Sequence, residues 1–435
     1  MSENILIVNI HSSKNGGDAA LLQVALQQVK ENFPEGKITL CMDDPESHTG
    51  PENAINSIIS WVYKFEGAGE SGWNYLRLGL VFPATLLPLI SRNIFKRNIW
   101  LLSPKSIQAV INSYLDANLV ISKPGGFLYS SGHGISFFLS IYSILYAYWA
   151  GKPVYLFPQS IGPLHYRWEG IILRWMLNRV RMVMVREGIS YEFINKLGIR
   201  NPRCYLIPDI AFAMPSAGRD AGEAWLQLHG VDPHSDYPLL GMTVFNWEAH
   251  DARFESQSRY ESVCATTIRY FIENYNGRVI LFPQSWGPLV GEDDRITALR
   301  IAELLPDINC FVTVVREPIA AELLKSLYGC MDIFIGTRLH STIFALSEGV
   351  PVIAIGYQHK TEGVAKMVGV DKWVVDMQNI QANELIDKMK NLWEERDDWR
   401  FRIKKIIPGL VQEASRAGKL VADDYRELRS DNTNG

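Results

Sequence analysis

Short apolar runs recur down this chain of 435 residues, each ending in a loop of glycine or polar residues before helical spacing begins. Asn4-Ile-Leu-Ile-Val-Asn-Ile10 is the first. It is followed by His11-Ser-Ser-Lys-Asn15-Gly16-Gly17-Asp18, and then by Ala19 to Lys30 with apolar residues at helical intervals. A run that is apolar at successive positions needs cover on both faces, which parallel strands between two helical layers obtain. The opening therefore reads as a Rossmann-like strand, turn and helix. Its turn does not match G-x-G-x-x-G, so a dinucleotide is not implied. The glycines let a ligand approach the backbone, and Asp18 is either part of that site or the cap of the helix.

The pattern continues. Asn118-Leu-Val-Ile-Ser122 runs into Lys-Pro-Gly125-Gly126, Met182 to Val185 ends in Arg186-Glu187, and Cys204 to Ile207 ends in Pro208-Asp209. Residues 215–237, rich in proline and glycine, read as an interdomain connection with one helix near 221–228. The pattern restarts at Leu239-Leu-Gly-Met-Thr-Val-Phe245, with further strands predicted at 278–282, 311–315, 332–336 and 351–355. Such alternation predicts an α/β fold of two Rossmann-like, doubly wound domains facing across a cleft. They are placed at 1–215 and 238–380, with a linker at 216–237. Residues 381–435 are charged helices broken at Pro408, with a frayed tail. A chain of this length is too long for one ordinary core, which agrees with two domains.

Two segments are more apolar than a surface element needs. Leu78 to Ile90 contains Pro83 and Pro88 and is flanked by Trp73, Tyr75, Arg92, Lys96 and Arg97. It is too short to span a bilayer; it is an interfacial segment or a buried loop-helix, and the buried reading is preferred. Ile135 to Ala150, also too short, reads as a buried crossover helix whose Ser and Tyr hydroxyls need partners.

The apolar fraction of 47% and charged fraction of 21% are those of a globular protein, and a net charge of −4 argues against nucleic acid as a partner. Residues 1–215 carry 19 Lys+Arg against 15 Asp+Glu, while 216–435 carry 24 against 32, so the amino half is the mildly basic one. Five scattered cysteines without a C-x-x-C pair read as reduced thiols, and the amino terminus lacks a signal-peptide pattern. A cytoplasmic protein is expected. Self-association is left open.

Phe157-Pro-Gln-Ser-Ile-Gly-Pro-Leu164 recurs as Phe282-Pro-Gln-Ser-Trp-Gly-Pro-Leu289, and Val185-Arg-Glu187 as Val315-Arg-Glu317. This echo suggests two similar halves, or one strand-turn solution used twice. The carboxyl ends of strands in open α/β sheets are where ligands bind. The loops there hold Asn15, Asp18, Gly125, Gly126, Gln159, Arg186, Asp209, Asn246, Gln284, Arg338, His340, Tyr357 and Lys360. Gly336-Thr-Arg338-Leu-His340-Ser341 places a guanidinium and an imidazole where a helix begins, a position that favours an anion. The bland reading is a capping Arg and a core His. The cations exceed what one phosphate needs and suit a small ligand with both carboxylate and phosphate. No metal-ligand spacing and no P-loop appears.

These loops resemble the polysaccharide pyruvyl transferase family. The matching pieces are Asn15-Gly-Gly-Asp18, Gly125-Gly126, Gln159-Ser-Ile-Gly-Pro163, Val185-Arg-Glu187, Pro208-Asp209 and Gly336-Thr-Arg-Leu-His-Ser341 with Tyr357-x-x-Lys360. The extra glycine at 16–17 and the apolar stretch 73–102 depart from the pattern. The resemblance implies a GT-B-like pair of domains and transfer of pyruvate from phosphoenolpyruvate, a substrate rather than a cofactor, to a sugar as a ketal. It implies a donor site of Arg186, Arg338, His340, Ser341 and Lys360, with His340 as acid/base and Arg338 and Arg186 managing charge. Asn15, Asp18, Gly125, Gly126, Gln159, Asp209 and Gln284 would line the cleft or acceptor side.

The acceptor would be a glycan, lipid-linked if Arg167, Trp168, Arg174, Trp175, Arg179 and Arg181 meet a membrane face as peripheral contacts. A solvated helix face is the alternative. A GT-B glycosyltransferase using a nucleotide sugar is the rival function, since fold and anion site would look alike. A non-catalytic binder of glycan or polyphosphate is the other, with His340 and Lys360 both present against it.

Overall fold

The computed structural model describes residues 2–62, 72–101, 103–130, 134–248, 256–287, 289–356 and 359–434; Tyr357 and the side chains of Trp73 and Tyr75 lie outside the described residues. The chain divides into two compact units. The first holds Met1–Ser13, Leu21–Asp209 and Ser415–Gly435, and the second holds Lys14–Ala20 and Ile210–Ala414.

In the first unit the strands are β1 (Asn4–Ile10), β2 (Lys37–Met42), β3 (Asn53–Asn56), β4 (Leu119–Ser122), β5 (Gly125–Leu128), β6 (Val154–Ile161), β7 (Met182–Val185) and β8 (Cys204–Leu206). They form one sheet in the order β3-β2-β1-β4-β6-β7-β8, with the short β5 also paired to β6. The pairs are parallel, for instance Leu6 against Val120 and Val120 against Val154. Both β4 and β7 are buried along their whole length, as runs of Leu, Val, Ile and Met require.

β2 and β3 are not evident from the sequence. Asn53-Ala-Ile-Asn56 is half exposed at the sheet edge, so it lacks the continuous apolar signature of the inner strands.

The second unit has β9 (Leu239–Thr243), β10 (Arg278–Leu281), β11 (Val312–Val314), β12 (Ile333–Gly336), β13 (Val352–Gly356) and β14 (Val374–Asp376). Their order is β11-β10-β9-β12-β13-β14, and the pairs are parallel. Successive strands step outward from β9 and then, from β12, outward on its other side. That reversal makes the gap beyond β9 and β12 the switch point at which such sheets bind ligands. The helix expected near 221–228 is present as Arg219–Leu228.

The segment with Pro83 and Pro88, read as a buried loop-helix, is a single helix, Gly72–Phe95, with Val81, Ala84 and Leu89 buried and Ile90 and Ile94 exposed. Pro88 has no N–H to offer the carbonyl of Ala84. That carbonyl instead accepts a hydrogen bond of 2.5 Å from the Ser103 hydroxyl. The helix is pinned to the crossover helix Gly134–Trp149 by Thr85, whose hydroxyl meets Tyr142 Oη at 2.6 Å and whose carbonyl accepts from Tyr146 Oη at 3.2 Å. Those are the partners that Tyr142 and Tyr146 of the crossover helix require.

The carboxyl-terminal helices also differ from expectation. Helix Arg396–Ala414 continues through Pro408, and the last helix, Ala417–Asn434, stays helical where fraying is expected. The last helix packs on the first unit. Asp424 is buried there, bonded to Tyr155 Oη at 3.0 Å and Arg181 Nε at 2.6 Å, with Arg203 also paired to it. A carboxylate met by two guanidinium groups and a phenol fastens the end of the chain where periodicity alone signals only a charged helix.

Candidate active site

The switch point of the second unit holds most of the residues singled out in that half. Arg338 precedes the helix Leu339–Ser347 in extended conformation, at the end of β12. Its Nη2 donates to Asp294 Oδ1 at 2.5 Å and its Nε to Asp294 Oδ2 at 3.1 Å. The guanidinium lies over the ring of Phe245, 4.0 Å from the centroid, at the end of β9. Thus one face rests on an aromatic ring and one edge on a carboxylate, and the planar fork is held in place. Its remaining edge carries no hydrogen bond among the described residues and is directed by this double clamp.

Asp294 is the organising group. It is buried, and its Oδ2 also accepts from the backbone N–H of Gln284 at 3.1 Å and of Ser285 at 3.0 Å. Burial pushes its carboxyl above the usual range, against the pull of Arg338 and the two amides. Asp294 is absent from the set drawn from the sequence. The only signal was an acidic residue ten positions beyond Gln284, and nothing local says that it turns back towards β12.

The loop that Asp294 fixes meets the amino-terminal turn. Gly16 N donates to Gln284 O at 2.7 Å, Trp286 N to Lys14 O at 3.0 Å, and Asn15 and Ser285 form an antiparallel bridge. Asn15 caps the helix Gly16–Asn32, its Oδ1 accepting from Gly17 N at 3.0 Å and Asp18 N at 3.2 Å. The cap is therefore Asn15 and not Asp18, which lies inside the first turn. Gln284 is buried, its Oε1 accepting from Tyr328 Oη at 3.2 Å.

His340 follows in the first turn of its helix, with its imidazole against the backbone of Gly17. A Cβ built on Gly17 would overlap the ring. The second glycine of the turn is thus a matter of room for His340, which explains why this position bears no side chain.

Ser341, expected at the donor, is fully buried. Its hydroxyl meets Thr243 Oγ1 at 2.7 Å and the carbonyl of Arg338 at 2.6 Å, so it joins β9 to the helix start from within. Lys360 lies in the helix His359–Val368 after β13, partly exposed.

The other candidates belong to the first unit. Arg186, at the end of β7, is 2% exposed and donates to Asp209 Oδ2 at 2.6 Å and to Ser160 Oγ at 2.7 Å. Its own N–H bonds Gln159 O at 3.0 Å. Gln159 is buried, its amide bonded to the carbonyl of Lys123 at the end of β4, and Gly125 pairs with Gln159 as β5 begins, followed by Gly126. Arg186 and Asp209 thus satisfy each other in the interior, where a pair of unlike charges tolerates burial.

The sequence echo falls on strands that are not equivalent. Phe157 to Ile161 forms the end of β6, on the β4 side of β1, where Ser160 Oγ accepts from Arg186. Phe282 to Leu289 follows β10, on the opposite side of β9 from β12. Arg186 is buried whereas its echo Arg316 is exposed. One strand-turn solution has been used twice, at different places in two similar sheets.

The profile of the family described as polysaccharide pyruvyl transferase matches residues 15–359. The chain belongs to the polysaccharide pyruvyl transferase family. Across nearly the whole length it is also 24% identical to the amylovoran biosynthesis protein AmsJ of Erwinia amylovora, over 98% of this chain and 99% of that one. Among solved structures it is similar to a glycosyltransferase from Rickettsia africae, at 11% identity and a TM-score of 0.55, with 98% of each chain covered. It is also similar to a UDP-GlcNAc 2-epimerase from Neisseria meningitidis, at 11% identity and a TM-score of 0.57, covering 98% of this chain and 100% of that one. At such identity these two establish the fold, a GT-B-like pair of Rossmann-like units, and nothing more. Membership of the family makes this chain a transferase acting on polysaccharide.

Proposed function

We propose that the chain transfers pyruvate from phosphoenolpyruvate to a sugar of a polysaccharide or of its lipid-linked precursor, closing a cyclic ketal, on the cytoplasmic side. The observation that carries this reading is the clamped Arg338 beside His340 at the switch point. Arg338 presents a fixed fork suited to the donor carboxylate, with Lys360 as the second cation for phosphate.

His340 delivers a proton to the methylene carbon of the enol, and the adjacent carbon becomes electrophilic. One sugar hydroxyl attacks that carbon and gives up its proton. The bond to phosphate breaks, and a second hydroxyl closes the ketal with loss of another proton. Of the two hydroxyl protons, one replaces the proton placed on carbon and the other is taken by the departing phosphate, so the turnover is proton-neutral. General acid/base catalysis of this type contributes on the order of 10²–10⁴-fold. The buried pairing of Arg186 with Asp209 leaves Arg186 the organiser of strand ends in the first unit.

The test is phosphate release from phosphoenolpyruvate in the presence of a panel of free and lipid-linked oligosaccharides. Release that depends on acceptor and is lost in His340→Gln supports the reading, and full activity in that variant removes His340 from the chemistry. A second reading, transfer from a nucleotide sugar, is favoured only by the fold shared with UDP-sugar enzymes. Thermal stabilisation by UDP- or GDP-sugars and not by phosphoenolpyruvate would select it.

A further inference from the structure

The first unit carries a surface that lies outside the candidate site described above. Residues 71–186 contain twelve Lys and Arg but only two acidic residues, Asp116 and Glu169, in a chain whose net charge is −4. Glu169 is buried, accepting from Ser130 Oγ at 2.6 Å and from the N–H groups of His165 and Tyr166, each at 2.9 Å. It contributes no negative charge to the exterior. Of these cations Lys123 and Arg186 are buried and Arg181 is paired with Asp424, so the described exterior of this stretch carries an excess of cations over one exposed carboxylate, Asp116.

The same stretch exposes large apolar side chains. At the end of helix Gly72–Phe95 and just beyond it, Ile94 and Phe95 are each 64% exposed and Leu101 is 80% exposed, with Ile90 one turn before. Arg92, Lys96 and Arg97 are interleaved with them and exposed. A second group lies on helix Arg167–Leu177, where Ile171 is 70% exposed between the partly exposed Trp168 and Trp175. Arg179 covers the Trp175 ring at 4.4 Å, and Tyr166 stacks with Trp168.

The crossover helix Gly134–Trp149 lies between these two helices. It touches one through Phe82 and Phe138, and the other through Tyr148 and Trp175. The three helices therefore form one layer, and both apolar groups lie in it. Scattered apolar residues on a surface need no explanation, but a patch set among an excess of cations has a specific complement. Aliphatic and Phe side chains entering the acyl boundary, Trp at headgroup level and Arg or Lys meeting phosphate are the chemistry of an anionic bilayer surface. Among the described residues no helix is long and apolar enough to cross a membrane.

We propose that this helical layer docks the protein on the surface of an anionic phospholipid membrane. The docking goes beyond the transfer reaction and does not rest on it, since it needs no turnover. Each cation close to such a surface is worth roughly five-fold in affinity, so three are worth on the order of a hundred-fold.

The experiment is sedimentation of the full chain with vesicles of phosphatidylcholine alone and of phosphatidylcholine with phosphatidylglycerol. Binding is expected only to the anionic vesicles. It should fall by on the order of a hundred-fold in Arg92→Gln/Lys96→Gln/Arg97→Gln and more than ten-fold in Ile94→Glu/Leu101→Glu. It should be unchanged in Leu228→Glu, an 84% exposed leucine on the second unit. All the altered side chains are exposed, and unchanged melting temperatures verify that the variants fold. Absence of binding to anionic vesicles, or binding unaffected by both multiple variants, overturns the proposal. So does a wild-type dimer in light scattering that Ile94→Glu/Leu101→Glu converts to monomer without vesicle binding by either, because a second copy then covers the patch. Phosphate release with a soluble acceptor, measured in parallel, reports separately on the transfer reading.

Discussion

Asp294 holds Arg338 through two hydrogen bonds, 2.5 Å to Nη2 and 3.1 Å to Nε, while the same carboxylate receives the backbone of Gln284 and Ser285. One buried side chain thus aims the Arg338 fork and also shapes the loop that meets Gly16. Asp294→Asn keeps the outline but removes the charge that Arg338 faces. Breaking one side of a buried pair costs about 3–5 kcal/mol. A fall in melting temperature and a weaker Kd for phosphoenolpyruvate are expected together. An unchanged Kd would mean that Arg338 needs no clamp.

Gly17 and His340 are in direct contact, and a methyl at 17 would occupy the space of the imidazole. Gly17→Ala forces the ring to move, at a stability cost of about 1–3 kcal/mol. If His340 is the proposed acid/base, its displacement loses on the order of 10²-fold in rate. The expected result is a folded protein with a large loss in kcat and a small change in melting temperature. Gly16→Ala meets the carbonyl oxygen of Gln284 at 3.0 Å and its Cγ at 3.7 Å, against outright overlap with the ring at Gly17, and should be milder.

The Arg186–Asp209 pair supplies a cycle that separates structure from catalysis. Arg186→Met leaves Asp209 buried without its partner and should cost about 3–5 kcal/mol. Arg186→Met/Asp209→Leu removes both charges and should recover most of that loss. If the pair only organises strand ends, the double variant stays active. Recovered stability with activity still absent would assign Arg186 to the donor.

Thiol chemistry offers a check on the core. Burial pushes Cys41 and Cys264 up to about 12, whereas Cys310 is exposed. The thiolate is the nucleophile, so iodoacetamide at pH 8 should label Cys310 first and leave Cys41 and Cys264 for denaturant. Raising the pH towards 10 should not admit the buried pair. Mass spectrometry of peptides reads the order, and early labelling of Cys41 would place β2 at the surface.

Much of this protein is local and therefore legible. The inner strands announce themselves because full burial demands apolar residues at every position. The loops at their carboxyl ends follow, and with them Arg338, His340 and the resemblance to a family. The edge strand β3 and the helical continuity through Pro83, Pro88 and Pro408 are not legible. An edge strand need not be apolar, and a carbonyl freed by proline is satisfied by a residue such as Ser103, chosen by packing.

Which polar residues are enclosed in the interior and which keep an open edge was decided only by tertiary structure. Arg186 and Arg338 look alike in sequence, a cation after a buried strand. One is enclosed with Asp209 and Ser160, while the other keeps an edge beyond its Asp294 and Phe245 clamp. Gly17 reads as a flexible turn until His340 is placed against it. Helical and strand periodicity depends on neighbours a few residues apart, which the chain itself supplies. The pairing of a charge depends on residues such as Asp294, 44 positions before Arg338, and only the folded sheet brings those together.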